Sequence, residues 1–352
     1  MNCQKQITVN HRLIGNDMPC FLVAEVGINH NGDLDLAKKS IAAAVAAGAD
    51  AVKFQNYRTE DFVTDKSLTY EYISQGKPVV ESQYEMFKRC ELTKEALHEL
   101  KSYCDSLKVN FHSTPTSKSG VQDLLEIGTS LLKNGSDYLT NLPLIRYMGE
   151  SGLPTVLSTG MATLAEIDDA VRTFRSTGNN QLILLHCTSS YPTPPEEVNL
   201  RKIASLASAF GCLVGFSDHT DGITSAIGAA ALGTCWIEKH FTLDKDLPGS
   251  DHRFSADPTE FKNLVIAVRT LEKNLGQPQI CPTPSEQRGR YEFRLSCVTN
   301  SPLAAGYILT EADISFQRPG KGIPPAHSYL LVGRKLKRDL EANCVIHLSH
   351  LL

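Results

Sequence analysis

Long hydrophobic runs are missing from this chain. No segment approaches the roughly 20 apolar residues that a bilayer span requires, and the first apolar stretch, residues 21–28, is interrupted by Glu25. The opening residues Met1 to Gln6 lead into no run of signal-peptide length. An excess of positive charge is missing too. Lys and Arg number 35 against 39 Asp and Glu, a formal net charge of −4, which excludes the basic surface that nucleic acid or an anionic membrane demands. An anionic small molecule must therefore be met by a few local lysines and arginines. Paired cysteines are missing: the ten cysteines are scattered singly, with no Cys-x-x-Cys. Cys187, Cys212 and Cys235 sit in strand-like apolar contexts, where buried thiols are common. These features predict a reduced, cytoplasmic protein. Neither a dinucleotide fingerprint nor a P-loop occurs.

What is present is a repeating unit. Across 352 residues, 41% hydrophobic and 21% charged, short apolar runs end in polar or glycine tips and lead into helix-like stretches. The runs are 21–27, 51–55, 109–113, 131–136, 155–159, 182–187, 213–217 and 235–240. Between the first two, Asp33 can cap a helix with apolar positions at Leu34, Ala37, Ile41, Ala44 and Val45, which Gly48 ends. Buried parallel strands alternating with helices make a parallel α/β sheet, and eight such units predict a closed (β/α)₈ barrel over 1–276. The long aromatic-rich connection at 56–91 reads as an active-site cover. Residues 277–290, with three prolines, read as a linker, and 291–352 as a small β-rich domain. That domain is near the lower size limit for standing alone, so docking is expected.

Active-site residues of such barrels come from the C-terminal strand ends. Here those ends carry Glu25, Lys53, Gln55, Ser113, Thr114, Lys133, Ser136, Ser158, Thr159, His186, Ser217, Asp218, His219, Glu238, Lys239 and His240, which predicts one polar mouth. His219 and His240 end neighbouring strands. Each could hydrogen-bond within the barrel; as a pair they could hold a divalent metal with positions open for water and substrate. Lys53 and Lys133 end apolar strands, where an unpaired ammonium is costly. Salt bridges to Glu25 or Glu238, Schiff-base chemistry, or binding of a phosphate or carboxylate would each account for them. The surrounding hydroxyls of Thr114, Ser136, Ser158 and Ser217 favour the anion. Glu25 can partner a lysine, serve as general acid or base, or accept from a substrate hydroxyl.

The motifs Ala24 to Gly32, Lys53-Phe54-Gln55, Ser113-Thr114-Pro115, Ser158-Thr159-Gly160-Met161, His186-Cys187 with Tyr191-Pro192, Ser217-Asp218-His219-Thr220, Glu238-Lys239-His240-Phe241 and Arg318-Pro319-Gly320 resemble the N-acetylneuraminate (sialic acid) synthase family, in the family's order. The resemblance implies a TIM barrel followed by an antifreeze-like (SAF) domain in a domain-swapped homodimer. It implies condensation of phosphoenolpyruvate with an open-chain N-acyl amino sugar to give a nonulosonic 2-keto acid and phosphate, for surface polysaccharide synthesis. By matching position, His219 and His240 would bind Mn²⁺ or Mg²⁺. Lys53, Thr114, Lys133, Ser136, Ser158 and Ser217 would hold phosphoenolpyruvate. Glu25, Gln55, Tyr191 and Asp251 would meet the sugar, and Arg318 would reach its N-acyl group from the partner subunit. Where the family carries a carboxylate after strand four, this chain has Tyr138, with Asp137 one residue early. In a strand, Asp137 would face away. Tyr138 is thus expected to reshape the sugar pocket while Glu25 carries the acid/base work. Two other readings are an octulosonate- or heptulosonate-type synthase and a non-catalytic sugar-binding relative.

Overall fold

The computed structural model describes residues 5–352, and the chain divides into two compact units, 1–276 and 277–352. In the first, eight strands are laid down in chain order: β1 (Phe21–Gly27), β2 (Ala51–Asn56), β3 (Asn110–Pro115), β4 (Leu132–Asn134), β5 (Thr155–Ser158), β6 (Leu182–His186), β7 (Leu213–Asp218) and β8 (Trp236–His240). They pair in parallel in the order β3-β2-β1-β8-β7-β6-β5-β4, and the two end strands β3 and β4 lie side by side, so the sheet nearly closes into a (β/α)₈ barrel. Seven of the eight predicted runs correspond to strands of similar length because a strand buried on both faces reads as a continuous apolar run.

The helix between β1 and β2, α1 (Leu34–Ala47), starts and stops where its end residues dictate. Asp33 accepts from the amides of Asp35 and Leu36, and Gly48 leaves the helix at φ 95°, a left-handed conformation open to glycine. Its Ala37, Ile41 and Ala44 are fully buried against the barrel. The barrel interior is filled from below by a hairpin, Gln6–Val9 with Arg12–Gly15, whose Ile7, Val9 and Ile14 join Phe21, Val23, Ile183, Leu185 and Trp236 in one apolar cluster. Function is thereby confined to the opposite end.

The fourth run departs from expectation. β4 stops at Asn134, and Ser136–Tyr138 form a 3₁₀ turn in which the Tyr138 amide donates to the Gly135 carbonyl at 3.1 Å. Strand alternation therefore does not govern Asp137, which is exposed, while Tyr138 is half-buried. The connection at 56–91 contains an antiparallel hairpin, Thr69–Ser74 with Lys77–Ser82, followed by the helix Gln83–Arg89. The hairpin tip is tied to the loop after β8: Gly249 N donates to Ser74 Oγ at 3.2 Å and Gln75 Nε2 to the Asp246 carbonyl at 3.1 Å.

The barrel ends with the helix Pro258–Leu275, opened by a reciprocal Asp257–Glu260 cap. Within 277–352, Ser296–Thr299 pairs antiparallel with Ile314–Gln317, and Cys297, Leu303, Leu309, Leu331, Leu336 and Ile346 form a core of its own. Among the described residues no helix is long and apolar enough to cross a membrane. Cys20, Cys90, Cys104, Cys187, Cys235 and Cys297 are buried free thiols.

Candidate active site

Period-two alternation decides which strand-end residues enter the barrel mouth. On β2, Phe54 packs outward in the helix-facing core while Lys53 points inward and is 4% exposed. Its ammonium lies 2.8 Å from Glu25 Oε1 and 3.4 Å from Glu238 Oε1, and donates to Thr114 Oγ1 at 3.0 Å. Gln55 Nε2 donates to the same Glu25 oxygen at 3.2 Å. Gly27, at φ 54°, makes room for this pair: a Cβ there would stand 3.2 Å from Glu25 Oε1 and 3.4 Å from Gln55 Nε2.

The electrostatics are asymmetric. Burial pushes the Glu25 carboxyl up to about 7, with Lys53 opposing and Glu238 reinforcing the shift. Burial acts against ionised Glu238 as well, but Lys133 and Lys53 outweigh it and hold that carboxyl down at about 2. Burial likewise pulls on Lys53, and Glu238 and Glu25 more than compensate. Lys133 is different. It is 2% exposed, donates to Ser158 Oγ at 2.6 Å and to the Asn134 carbonyl at 3.0 Å, and burial lowers its pKa. Two buried ammoniums thus stand in one hollow, Lys53 paired with carboxylates and Lys133 held by neutral acceptors alone, an arrangement that favours an anion.

Hydroxyls surround it. Ser217 Oγ lies 3.4 Å from Glu238 Oε1 and 3.3 Å from His219 Nε2. Ser136 Oγ receives the Gly160 amide at 3.1 Å and lies 3.2 Å from Cys187 Sγ; a Cβ on residue 160 would come within 2.7 Å of that hydroxyl.

His219 and His240 stand with ring centroids 5.5 Å apart. The Thr188 carbonyl lies 2.8 Å from His219 Nδ1, which assigns the proton to Nδ1 and leaves a lone pair on Nε2. Burial pushes His219 down to about 4 and His240 well below its ordinary range, so both rings are neutral. His240 Nδ1 is buried without a hydrogen-bond partner and lies 3.6 Å from Asp251 Oδ2. Two neutral imidazoles with an orphaned nitrogen fit a divalent cation. No cluster of three or more His, Cys, Asp or Glu poised around a common point occurs among the described residues, so further coordination would fall to water or a substrate oxygen. The Tyr191 ring, 44% exposed, covers the pair at 4.3 Å from His219 and 5.9 Å from His240, with Phe254 5.3 Å away.

Several strand-end residues do not join the mouth. Asp218 and Lys239 face away from it and pair with each other at 2.8 Å. His186 Nε2 lies 2.6 Å from the Val198 carbonyl, and its ring packs on Phe216. Convergence of all sixteen is therefore corrected: alternation sends neighbours in one motif to opposite faces. Tyr138 packs against the apolar core, and burial pushes its phenol up to about 12. Arg318 belongs to the C-terminal unit, where it donates to the Phe293 carbonyl at 3.1 Å and lies over that ring. Sequence reasoning missed Phe254 and the inward-facing His112. Phe254 lies in a loop, where no periodicity marks it, and the alternation that aims Lys53 inward would have found His112.

A model of the NeuB family matches residues 40–279, and a model of the SAF domain matches residues 296–352. An uncharacterised protein of Methanocaldococcus jannaschii is 42% identical over 348 residues, covering 99% of each chain. The N,N'-diacetyllegionaminic acid synthase of Legionella pneumophila is 39% identical over 341 residues, covering 96% of each. Among solved structures, the N-acetylneuraminic acid synthetase of Leptospira borgpetersenii in complex with citrate is 36% identical, with a TM-score of 0.73 over 81% of this chain and 94% of that one.

Proposed function

The chain belongs to the NeuB family, and we propose that it condenses phosphoenolpyruvate with an open-chain N-acyl amino sugar to give a nonulosonic 2-keto acid and phosphate. The observation that carries this reading is the hollow in which the buried ammoniums of Lys53 and Lys133 stand together, Lys133 with neutral acceptors alone, beside two neutral imidazoles at the same barrel mouth.

Lys53 and Lys133, with Thr114, Ser136, Ser158 and Ser217, bind the carboxylate and phosphate of phosphoenolpyruvate by charge-assisted hydrogen bonds. Glu25, Gln55, Tyr191 and Asp251 orient the acceptor sugar. A divalent cation, manganese or magnesium, would be held by His219 and His240 and would polarise the acceptor's aldehyde oxygen as a Lewis acid. C3 of phosphoenolpyruvate forms the new bond to the aldehyde carbon, water adds at C2, and the C2–O bond to phosphate breaks. With its carboxyl pushed up to about 7 by burial, Glu25 can hold or release a proton at neutral pH and is the acid/base of the site. Arg318 of a second copy contacts the N-acyl group in this reading. Similarity to the Legionella pneumophila N,N'-diacetyllegionaminic acid synthase favours a di-N-acylated acceptor.

The test is phosphate release from phosphoenolpyruvate over a panel of N-acyl amino sugars, with mass spectrometry of the products. Release should require an acceptor and yield a product with the mass of both substrates plus one water less phosphoric acid. Preference for an aldose phosphate would point to an octulosonate- or heptulosonate-type synthase, and no release with any acceptor would overturn an enzymatic role.

A further inference from the structure

His112 has no part in the chemistry above, yet it lies in the floor of the same hollow. It sits on β3 at the register of Lys53 and shares that residue's inward face. It is 0% exposed, and its ring meets Trp236 edge-on at 5.5 Å. Neither ring nitrogen has a hydrogen-bond partner. Leaving buried polar groups unpaired is costly, and the barrel interior below is filled instead with Val156, Ile183 and Leu185, which carry no such cost. An inward residue that breaks this rule points to a functional constraint.

One complementary group is close at hand. Glu238, two residues beyond Trp236 on β8, has Oε1 shared by Lys53 and Ser217, while Oε2 is buried and unpaired. Lys53 links the two residues: its strand neighbour is His112, and its ammonium reaches Glu238. Burial pushes His112 down to about 3, with Lys53 adding to the shift, so the imidazole is neutral and keeps one N–H to donate.

Resting on the phosphoenolpyruvate reading, we propose that His112 is a positioning residue of the anion site. When bound phosphoenolpyruvate draws Lys53 toward itself and away from Glu238 Oε1, the His112 N–H pairs with Glu238 Oε2 and keeps that carboxylate in the floor. Without His112, Glu238 would retain its hold on Lys53 and repel the incoming anion.

Two variants test this. His112→Leu removes the donor and both unpaired nitrogens; His112→Gln keeps an N–H. Calorimetric titration with phosphoenolpyruvate, thermal melting, and kcat and KM for both substrates would be measured on the full-length chain. His112→Leu is expected to melt no lower than wild type, to bind phosphoenolpyruvate about tenfold more weakly, and to leave the acceptor KM unchanged. His112→Gln should recover most of the binding. Wild-type affinity in His112→Leu, equal losses in both variants, or failure of His112→Leu to fold would overturn the proposal. A wild-type chain that does not bind phosphoenolpyruvate at all would instead overturn the functional reading beneath it.

Discussion

Replacing Lys133 by methionine separates an anion-binding lysine from a structural one. Lys133 is 2% exposed and held only by neutral acceptors, Ser158 Oγ at 2.6 Å and the Asn134 carbonyl at 3.0 Å; none of the ion pairs of the hollow includes it. Methionine keeps an unbranched stem of similar volume without the charge. Two effects on stability oppose each other. Removing a buried ammonium relieves a desolvation penalty of several kcal/mol, while the loss of two charge-assisted hydrogen bonds, at about 1.5–3 kcal/mol each, is of similar size. The melting midpoint should therefore move by only a few degrees. Binding has no such compensation. One charge-assisted contact to phosphoenolpyruvate is lost, about 1.5–3 kcal/mol, which is roughly ten- to a hundredfold in the dissociation constant. Calorimetric titration with phosphoenolpyruvate, alongside thermal melting of both proteins, reads the two quantities separately. An unchanged dissociation constant in Lys133→Met would refute the reasoning, and a midpoint that collapses while binding survives would assign the lysine to the fold.

Glu25 should make anion binding pH-dependent. Burial pushes its carboxyl up to about 7, so below that pH it is protonated and an anion competes for Lys53 with Glu238 alone, while above it the Glu25 carboxylate competes as well. Phosphoenolpyruvate affinity should therefore fall as pH rises through about 7, and Glu25→Gln should flatten that part of the profile; identical slopes in binding isotherms of the two would contradict the assignment. Chelation should abolish phosphate release and added manganese or magnesium restore it, with His219→Ala and His240→Ala losing bound metal by elemental analysis. Full turnover of a rigorously metal-free sample would count against the site. Tyr138→Phe should keep much of its turnover, since a phenol pushed up to about 12 is uncharged, whereas Tyr138→Glu should shift preference across the acceptor panel. Loss of catalysis in Tyr138→Phe with unaltered acceptor binding would make the phenol a chemical participant.

Much of the fold is legible in the chain because its signals are local. Asp33 and Gly48 delimit α1 through their own backbone preferences, and each doubly buried strand reads as an apolar run with a polar end. The fourth strand is where this fails. Nothing in Leu131 to Ser136 announces that pairing stops at Asn134, because the 3₁₀ turn from Ser136 to Tyr138 is closed by hydrogen bonds whose geometry no composition encodes. The candidate site shows the same limit. Lys53, Lys133, His219 and His240 follow from their position at strand ends, but His186, Asp218 and Lys239 stand at equivalent ends and serve the fold.

By itself the sequence determined the eight-unit barrel and its small companion domain, the identity of the lysines, hydroxyls and histidines at the strand ends, and the family to which they belong. Those are consequences of local periodicity and residue chemistry. Only the tertiary structure decided which of those side chains share one hollow, that Lys53 is paired with both Glu25 and Glu238 while Lys133 meets neutral acceptors alone, and that His112 lies beneath them without a partner. The reason is physical: charge state and pairing depend on burial and on distances between strands far apart in the chain, and neither quantity exists until the barrel has closed.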